Sequence, residues 1–309
     1  MKKTFENIIV MRRPTSAVLH DFIKVALYQR LTKSALPLFV RGRDVISSGP
    51  MAIGSHESHV AAMLEHFAIK GFSNFLLDIG ANIGLTSSVV GNLFEQVVLF
   101  EPNPLCCGIL ETNLAISLIK TPYEIRRYGL GTRDGKVTLK VPRSNWGGAY
   151  VDSDDNAYSN QTVLAKDGFI NEDSHNYLSM YIDIRRGSDV LKILFDELKA
   201  ANKLHGSIKI DVEGFEIVVL QAIAAALPPE MGLSIIFEFW TGEFPGKEIL
   251  SAFNGRGHLY GMIKTPRVSG SRWRKLFALL AAGSQTYSLI PWEKGMFATD
   301  FVLQIDPKE

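Results

Sequence analysis

The stretch LLDIGANIGLTS, Leu76–Ser87, decides how this chain is read. An apolar run ends in Asp-x-Gly-x-Asn-x-Gly and restarts in small residues that suit a helix. A strand that turns sharply into a helix is a place where α/β sheets hold a cofactor. The dinucleotide fingerprint at such a turn is G-x-G-x-x-G, with an acid roughly twenty residues on for the ribose. Here Asn82 replaces the second glycine and Leu85 the third. That second glycine lets the backbone come close to a pyrophosphate, so this loop suits a ligand without one. S-adenosylmethionine is such a ligand, made of an adenosine, a sulfonium and an amino acid tail. Gly80, Asn82, Gly84 and Thr86 would wrap it, and Asp78 at the strand end could meet the tail's ammonium, directly or through water.

Outward from this loop, apolar strands alternate with helical runs from Phe72 onward. FLLDIG reads as a buried strand, LTSSVVGNLF as a short helix and QVVLFEPNP as a second buried strand. LCCGILETNLAISL is a helix, YEIRRYGLG a third strand, and KVTLKVP a run alternating at period two. RSNWGGAYVDSDDNAYSN is rich in turn formers. SMYIDI, SIKIDVEG and LSIIFEFW add strands, with SDVLKILFDELKAAN and FEIVVLQAIAAAL as helices between them. HLYGMIK and FATDFVLQI are strand-like runs around a basic helical insert. Such alternation implies a parallel sheet with helices on both faces. The first 70 residues lack the rhythm. SAVLHDFIKVALYQRL has apolar residues at helical spacing, Val18 and Phe22 among them, and SHESHVAAMLEHFAIKG repeats this and stops at Gly71. The expectation is a helical extension over 1–70, serving as a lid or as a substrate or oligomer contact, and a cofactor-binding domain over 71–309.

In such sheets the ligand lies beyond the carboxyl ends of the strands. Glu101 follows the second strand in FEPNP, beside Pro102 and Asn103, and lies 17 positions beyond Gly84. A carboxylate accepts two hydrogen bonds from a cis-diol, which makes Glu101 the candidate ribose ligand. After the middle strand, KIDVEGFE brings Lys209, Asp211, Glu213 and Glu216. Alternation puts Lys209, Asp211 and Glu213 on one face. Carboxylates at the end of an apolar strand are costly unless paired or used. Glu216 falls in a first helical turn, where an acid suits the helix dipole and has a structural role. Glu238 emerges from the apolar run LSIIFEF.

With these residues in view, the chain resembles the FkbM-type methyltransferases, which use S-adenosylmethionine on the class I methyltransferase fold. The resemblance rests on DIGANIGLTS, FEPNP, Asn113 in ETNLAI, GLGTRDGKVTLKVP with NWGG, and IKIDVEGFEIVVLQAI, in family order from about Gly71 to Trp240. His56–Glu57 is similar to the family's upstream Tyr-Glu element, with His in place of Tyr. The resemblance implies a Rossmann-like α/β domain with a mostly parallel seven-stranded sheet. It implies the methionine part of the cofactor in the first loop and the ribose on Glu101. It also implies methylation of a hydroxyl oxygen, often on a sugar, a glycolipid, a surface polysaccharide or a secondary metabolite.

A sugar hydroxyl holds its proton tightly, so a general base or a divalent cation should help remove it. Asp211 and Glu213 are the first candidates for the base, Glu238 and His56 the next. Asp211 with Glu238 could hold a cation, the less favoured reading beside a metal-free site. Trp146 reads first as a loop aromatic on the sheet rim and second as a platform for a sugar face. His56 and His59 read as solvated or capped. The insert RWRKLFALLAAGS reads as a helix packed on the sheet, ahead of a contact with an anionic or lipid-linked acceptor at a membrane surface. Adjacent Cys106 and Cys107 read as helix packing, because neighbours rarely meet disulfide geometry.

The composition limits the partners. A formal net charge of +1 over 309 residues, without a long block of Lys or Arg, argues against a dedicated nucleic-acid binder. Two cysteines and no zinc-type Cys/His spacing suit a reducing compartment. No apolar run reaches the ~18 residues of a membrane span. The start, MKKTFENIIVMRRPTSAVLHDF, is interrupted by Glu6, Asn7, Arg12, Arg13 and Pro14 and lacks the core of a secretory signal. The cytoplasm is the default, with a small-molecule or glycan acceptor as partner and no signature of oligomeric state. Two alternatives remain: a nicotinamide-dependent sugar dehydrogenase or epimerase, though no Tyr-x-x-x-Lys pair occurs, and a non-catalytic cofactor-binding module. A nucleic-acid base methyltransferase would show an Asn/Asp-Pro-Pro-aromatic strand end, where this chain has DVEG.

Overall fold

Every residue of β1 (Phe75–Ile79) is buried, which demands cover on both faces and a central place in a parallel sheet. In the computed structural model of the protein, β1 lies between β2 (Val97–Phe100) and β8 (His205–Ile210), parallel to both. The structure describes residues 14–33, 35–153, 156, 175–240, 244–268 and 271–308. The basic start of the chain through Arg13 and most of 154–174, including part of the turn-rich stretch, lie outside the described residues.

The main sheet continues through β3 (Tyr123–Arg126) beyond β2 and through β9 (Gly232–Glu238) beyond β8, both parallel to their neighbours. Three antiparallel strands finish it: β12 (Asp300–Ile305) on β9, then β10 (Gly257–Thr265), then β11 (Thr286–Pro291). Strand order reverses between β1 and β8, which makes that boundary the topological switch point. The sheet has eight strands rather than the expected seven. The additional strand is β11, an edge strand whose residues are all exposed. It buries no face, so no apolar alternation marks it in the sequence.

Side chains alternate across the pleat. Phe75, Leu77 and Ile79 join one core with Leu191, Phe195, Val219 and Ile223, from helices Gly187–Ala200 and Glu216–Ala226. Leu76, Val97 and Leu99 join the opposite core with Leu110 and Leu114 from Pro104–Ser117. That core also takes Val60, Leu64 and Phe67 from Ser58–Ile69. This last helix falls within the expected extension, yet it covers the sheet. Thr15–Leu31 does form a helix, but it packs little: Leu19, Phe22 and Leu31 are exposed.

The expected third strand splits. Tyr123–Arg126 stays in the main sheet, while β4 (Gly129–Gly131) enters a second, four-stranded sheet in the order β4-β7-β5-β6. Its partners are β5 (Gly135–Pro142), β6 (Tyr150–Asp152) and β7 (Tyr177–Arg186). The basic insert is a helix, Arg272–Ala282, but none of its residues is buried. It does not pack a face on the sheet as expected. Cys106 and Cys107 are buried free thiols on their helix. Among the described residues, no helix is long and apolar enough to cross a membrane.

Candidate cofactor and acceptor site

After β1 the backbone turns through left-handed conformations at Gly80 (φ 83°), Asn82 (φ 52°) and Gly84 (φ 79°). A Cβ on Gly80 would lie 1.8 Å from the Asp211 carbonyl oxygen, so only glycine fits. Asn82 is one of the few other residue types that tolerate this region. The loop is pinned on two sides. The Gly80 and Ala81 N–H groups donate to the Phe100 carbonyl at 3.0 and 3.1 Å, and the Asp211 N–H donates to the Ile79 carbonyl at 2.9 Å. Buried Asn113 braces it from behind, donating to the Ile83 carbonyl at 2.8 Å and exchanging hydrogen bonds with Phe39.

Glu101 closes this unit. One carboxylate oxygen accepts the Asn82 N–H at 2.8 Å and the other accepts the Asn103 N–H at 2.7 Å. Burial pushes its carboxyl up to about 7, although those two N–H groups favour the charged form. Glu101 and Pro102 line a narrow cavity with Phe100, Cys106, Leu139 and Trp146. Gly80, Asn82, Asp211 and Glu213 line it from the loop side. Asn103 does not reach it: its side chain caps the helix Pro104–Ser117 through the Leu105 N–H. Gly84 likewise shapes the turn without lining either cavity. Trp146 packs beside Ile83, Leu85 and Cys106 under the guanidinium of Arg41, which lies 4.4 Å from the ring centroid. It walls this first cavity and not the one beyond.

A second cavity adjoins the first and shares Gly80, Asn82, Gly147, Asp211 and Glu213 with it. His56, Glu57, Thr86, Lys209, Glu238 and Trp240 also line it, beside apolar residues such as Ile46 and Leu85. The strand β8 ends at Ile210, so strand alternation does not carry through to Glu213 as expected. Glu213 is turned toward the cavities by its own left-handed backbone, φ 43°. Glu216 lines neither cavity. Its carboxylate accepts the Gly214 N–H at 3.1 Å, and burial raises it to about 7.

Lys209 is the hub of the second cavity. Its ammonium lies 3.1 Å from Asp211 and 3.4 Å from Asp78. Burial opposes its charge, but Asp211, Asp78 and Glu57 outweigh that and hold it above its ordinary value. Asp78 also accepts the Ser87 hydroxyl at 2.6 Å, is buried, and lines neither cavity. Asp78 thus stands behind Lys209 rather than on either cavity wall. Burial, reinforced by Asp211, raises Glu57 to about 7 and Glu238 to about 8. Burial, with Lys209 adding to it, lowers His56. Burial thus favours the uncharged forms of Glu57, Glu238 and His56. His59 lies elsewhere, 3.3 Å from Asp300 and stacked on Tyr287. Among the described residues, no group of three or more His, Cys, Asp or Glu is arranged to hold a metal ion.

Among the charged and aromatic residues of this wall, Glu57, Lys209 and Trp240 were given no role by the sequence. Glu57 carried a family likeness and Lys209 shared a strand face with Asp211. Trp240 gave no signal beyond its place at the end of LSIIFEFW.

Comparison with known proteins covers this same stretch. Residues 78–248 match the methyltransferase FkbM domain. The methyltransferase sdnD of Sordaria araneosa is 29% identical over 155 residues, which are 48% of this chain and 60% of that protein. A SAM-dependent methyltransferase from Agrobacterium tumefaciens aligns at TM-score 0.41 and 10% identity, over 84% of this chain and 65% of that one. An O-methyltransferase from Bacillus cereus, solved in complex with SAH, aligns at TM-score 0.39 and 11% identity, over 96% and 93%. The family match spans more than half of the sequence and contains the first loop, Glu101 and the DVEG turn. The likeness first read from those motifs holds, and with it the S-adenosylmethionine cofactor of the family. The chain belongs to the FkbM methyltransferase family.

Proposed function

We propose that the protein transfers a methyl group from S-adenosylmethionine to a hydroxyl oxygen of a sugar or of a glycosylated or secondary-metabolite acceptor. The observation that carries this reading is the junction of the two cavities at Gly80, Asn82, Asp211 and Glu213. Among the described residues, the first cavity is lined by the carboxyl groups of Glu101, Asp211 and Glu213 and by no Lys or Arg. The acids Asp211 and Glu213 suit a sulfonium, the Glu101 carboxyl suits an adenosine diol, and a wall without Lys or Arg disfavours a pyrophosphate. Residues present fit the cofactor in detail: Gly80 leaves no room for a side chain, Asn82 keeps a buried side-chain oxygen without a partner, and Glu101 retains lone pairs for ribose hydroxyls.

Bound here, the cofactor supplies an already activated methyl. The chain must align the acceptor oxygen, exclude water and take its proton. Asp211 and Glu213 stand at the junction, where a proton leaving the acceptor would be received. Glu238, whose protonated form burial favours up to about pH 8, donates a hydrogen bond to a neighbouring acceptor hydroxyl, and His56, whose charged form burial disfavours, accepts one. Exposed Trp240 at the rim, its indole N–H donated to Glu238 at 2.6 Å, offers a face for a sugar ring. The test is calorimetric and chemical. The protein should bind S-adenosylhomocysteine and not NAD, and should release it on incubation of S-adenosylmethionine with a polyhydroxylated acceptor. Tight NAD binding without response to S-adenosylmethionine would refute it.

A further inference from the structure

The second cavity opens outward. Glu238 and Trp240 at its rim also line a cleft of about 840 Å³, bounded by the antiparallel edge of the sheet and the helix Arg272–Ala282. Small-molecule sites span roughly 300–1,000 Å³. Charge divides along this cleft. Glu238 stands opposite Asp300 in the β9–β12 register, and Asp300 stands opposite Met262 of β10. Lys264 lies two residues further along β10, about 7 Å outward. Arg267 in the following turn and Lys275 of the helix stand with it on the cleft wall. Among the described residues, none of these three cations has a carboxylate partner. Lys264 lies over the Tyr287 ring, and Arg267 donates to the Phe297 carbonyl and keeps the rest of its fork. Apolar side chains share the wall with His59, Gln285 and Thr299: Leu276, Leu279 and Phe297 are 44%, 36% and 72% exposed, Phe297 with the Arg267 guanidinium over its ring. Lone cations beside open apolar surface, leading to an acid-lined end, mark a polarised ligand site.

We infer that the acceptor is an anionic amphiphile. Its phosphate or carboxylate rests on Lys264, Arg267 and Lys275, its apolar part lies along Leu276, Leu279 and Phe297, and its hydroxyl reaches the acceptor cavity at Glu238. The three cations stand at the outer end of the cleft and attract the anionic group there, which sets this orientation. The inference rests on the methyl-transfer reading above and specifies its substrate class.

Calorimetry tests it with octyl phosphate below its micelle concentration, octyl glucoside as the neutral counterpart and inorganic phosphate as the anion without a chain. S-adenosylhomocysteine is titrated into the same samples. Octyl phosphate should bind best of the three and weaken with added salt. It should lose at least about tenfold in affinity in the triple variant K264Q/R267Q/K275Q, with S-adenosylhomocysteine affinity retained. If the triple variant loses S-adenosylhomocysteine binding as well, the single change Lys275→Gln takes its place and must weaken octyl phosphate relative to octyl glucoside. Equal binding of the two octyl probes, unchanged affinity in the variant, or no octyl phosphate binding beside normal S-adenosylhomocysteine binding overturns the inference and leaves methyl transfer standing. Failure of the wild type to bind S-adenosylhomocysteine overturns the methyl-transfer reading itself.

Discussion

Lys209 faces Asp78 across the β1–β8 register, their charged atoms 3.4 Å apart and their side chains only 8% and 1% exposed. The same ammonium reaches Asp211 at the junction of the two cavities. One buried cation thus joins the acid before the first loop to the acid after the middle strand. Removing one partner of a buried pair leaves an uncompensated charge and costs about 3–5 kcal/mol. Lys209→Met should lower the unfolding free energy by about that much in urea titrations. Adding Asp78→Asn should recover part of the loss. Wild-type stability in the single variant would show that the pair does not hold the switch point together.

Glu101 gives a second prediction. Glu101→Ala strands the Asn82 and Asn103 N–H groups along with any ribose hydroxyls. Affinity for S-adenosylhomocysteine should fall by about 1–3 kcal/mol, read by calorimetry. Unchanged affinity would remove Glu101 as the ribose ligand.

The acids at the junction can be separated from the fold by amide substitution. Asp211→Asn leaves Lys209 paired with Asp78, so the chain should stay folded and S-adenosylhomocysteine, which carries no sulfonium, should bind near wild type while turnover falls by roughly 10²–10⁴. A much lower melting temperature, with turnover per folded molecule intact, would make Asp211 structural. Glu213→Gln repeats the comparison for the second acid. Activity lost to a chelator and restored by magnesium or manganese would instead favour a cation held by Asp211 and Glu238.

Stability should depend on pH in a fixed direction. Burial raises Glu216 and Glu101 to about 7, Glu57 to about 7 and Glu238 to about 8, from an ordinary 4.5. The folded chain therefore holds these protons more tightly than the unfolded chain. Their stabilising contribution is full below about pH 4.5 and is lost as pH rises through about 7 to 8. The melting temperature should fall between about pH 5 and pH 8. Glu216→Gln, away from both cavities, removes one titrating group and should make that fall shallower. An unaltered slope in this variant would show that Glu216 does not titrate in the folded chain.

The sequence alone determined the parallel core, the sharp glycine turn of the first loop, and the acids at three strand ends. These depend on short-range chemistry. A strand buried on both faces must be apolar throughout, and a Gly-x-Asn-x-Gly turn needs residues that tolerate positive φ. Only the tertiary structure decided which distant groups meet. Strand order and register put Lys209 against Asp78, brought Glu57 from the start of Ser58–Ile69 to Glu238, and set Trp146 over the first cavity while Trp240 took the second. Uniformly apolar strands look alike in sequence, so their neighbours cannot be read from periodicity. The helix Arg272–Ala282 shows the same limit. Its apolar residues promised a packed face, but the adjoining edge strand β11 buries nothing, and the surface left open there is the wall of the cleft.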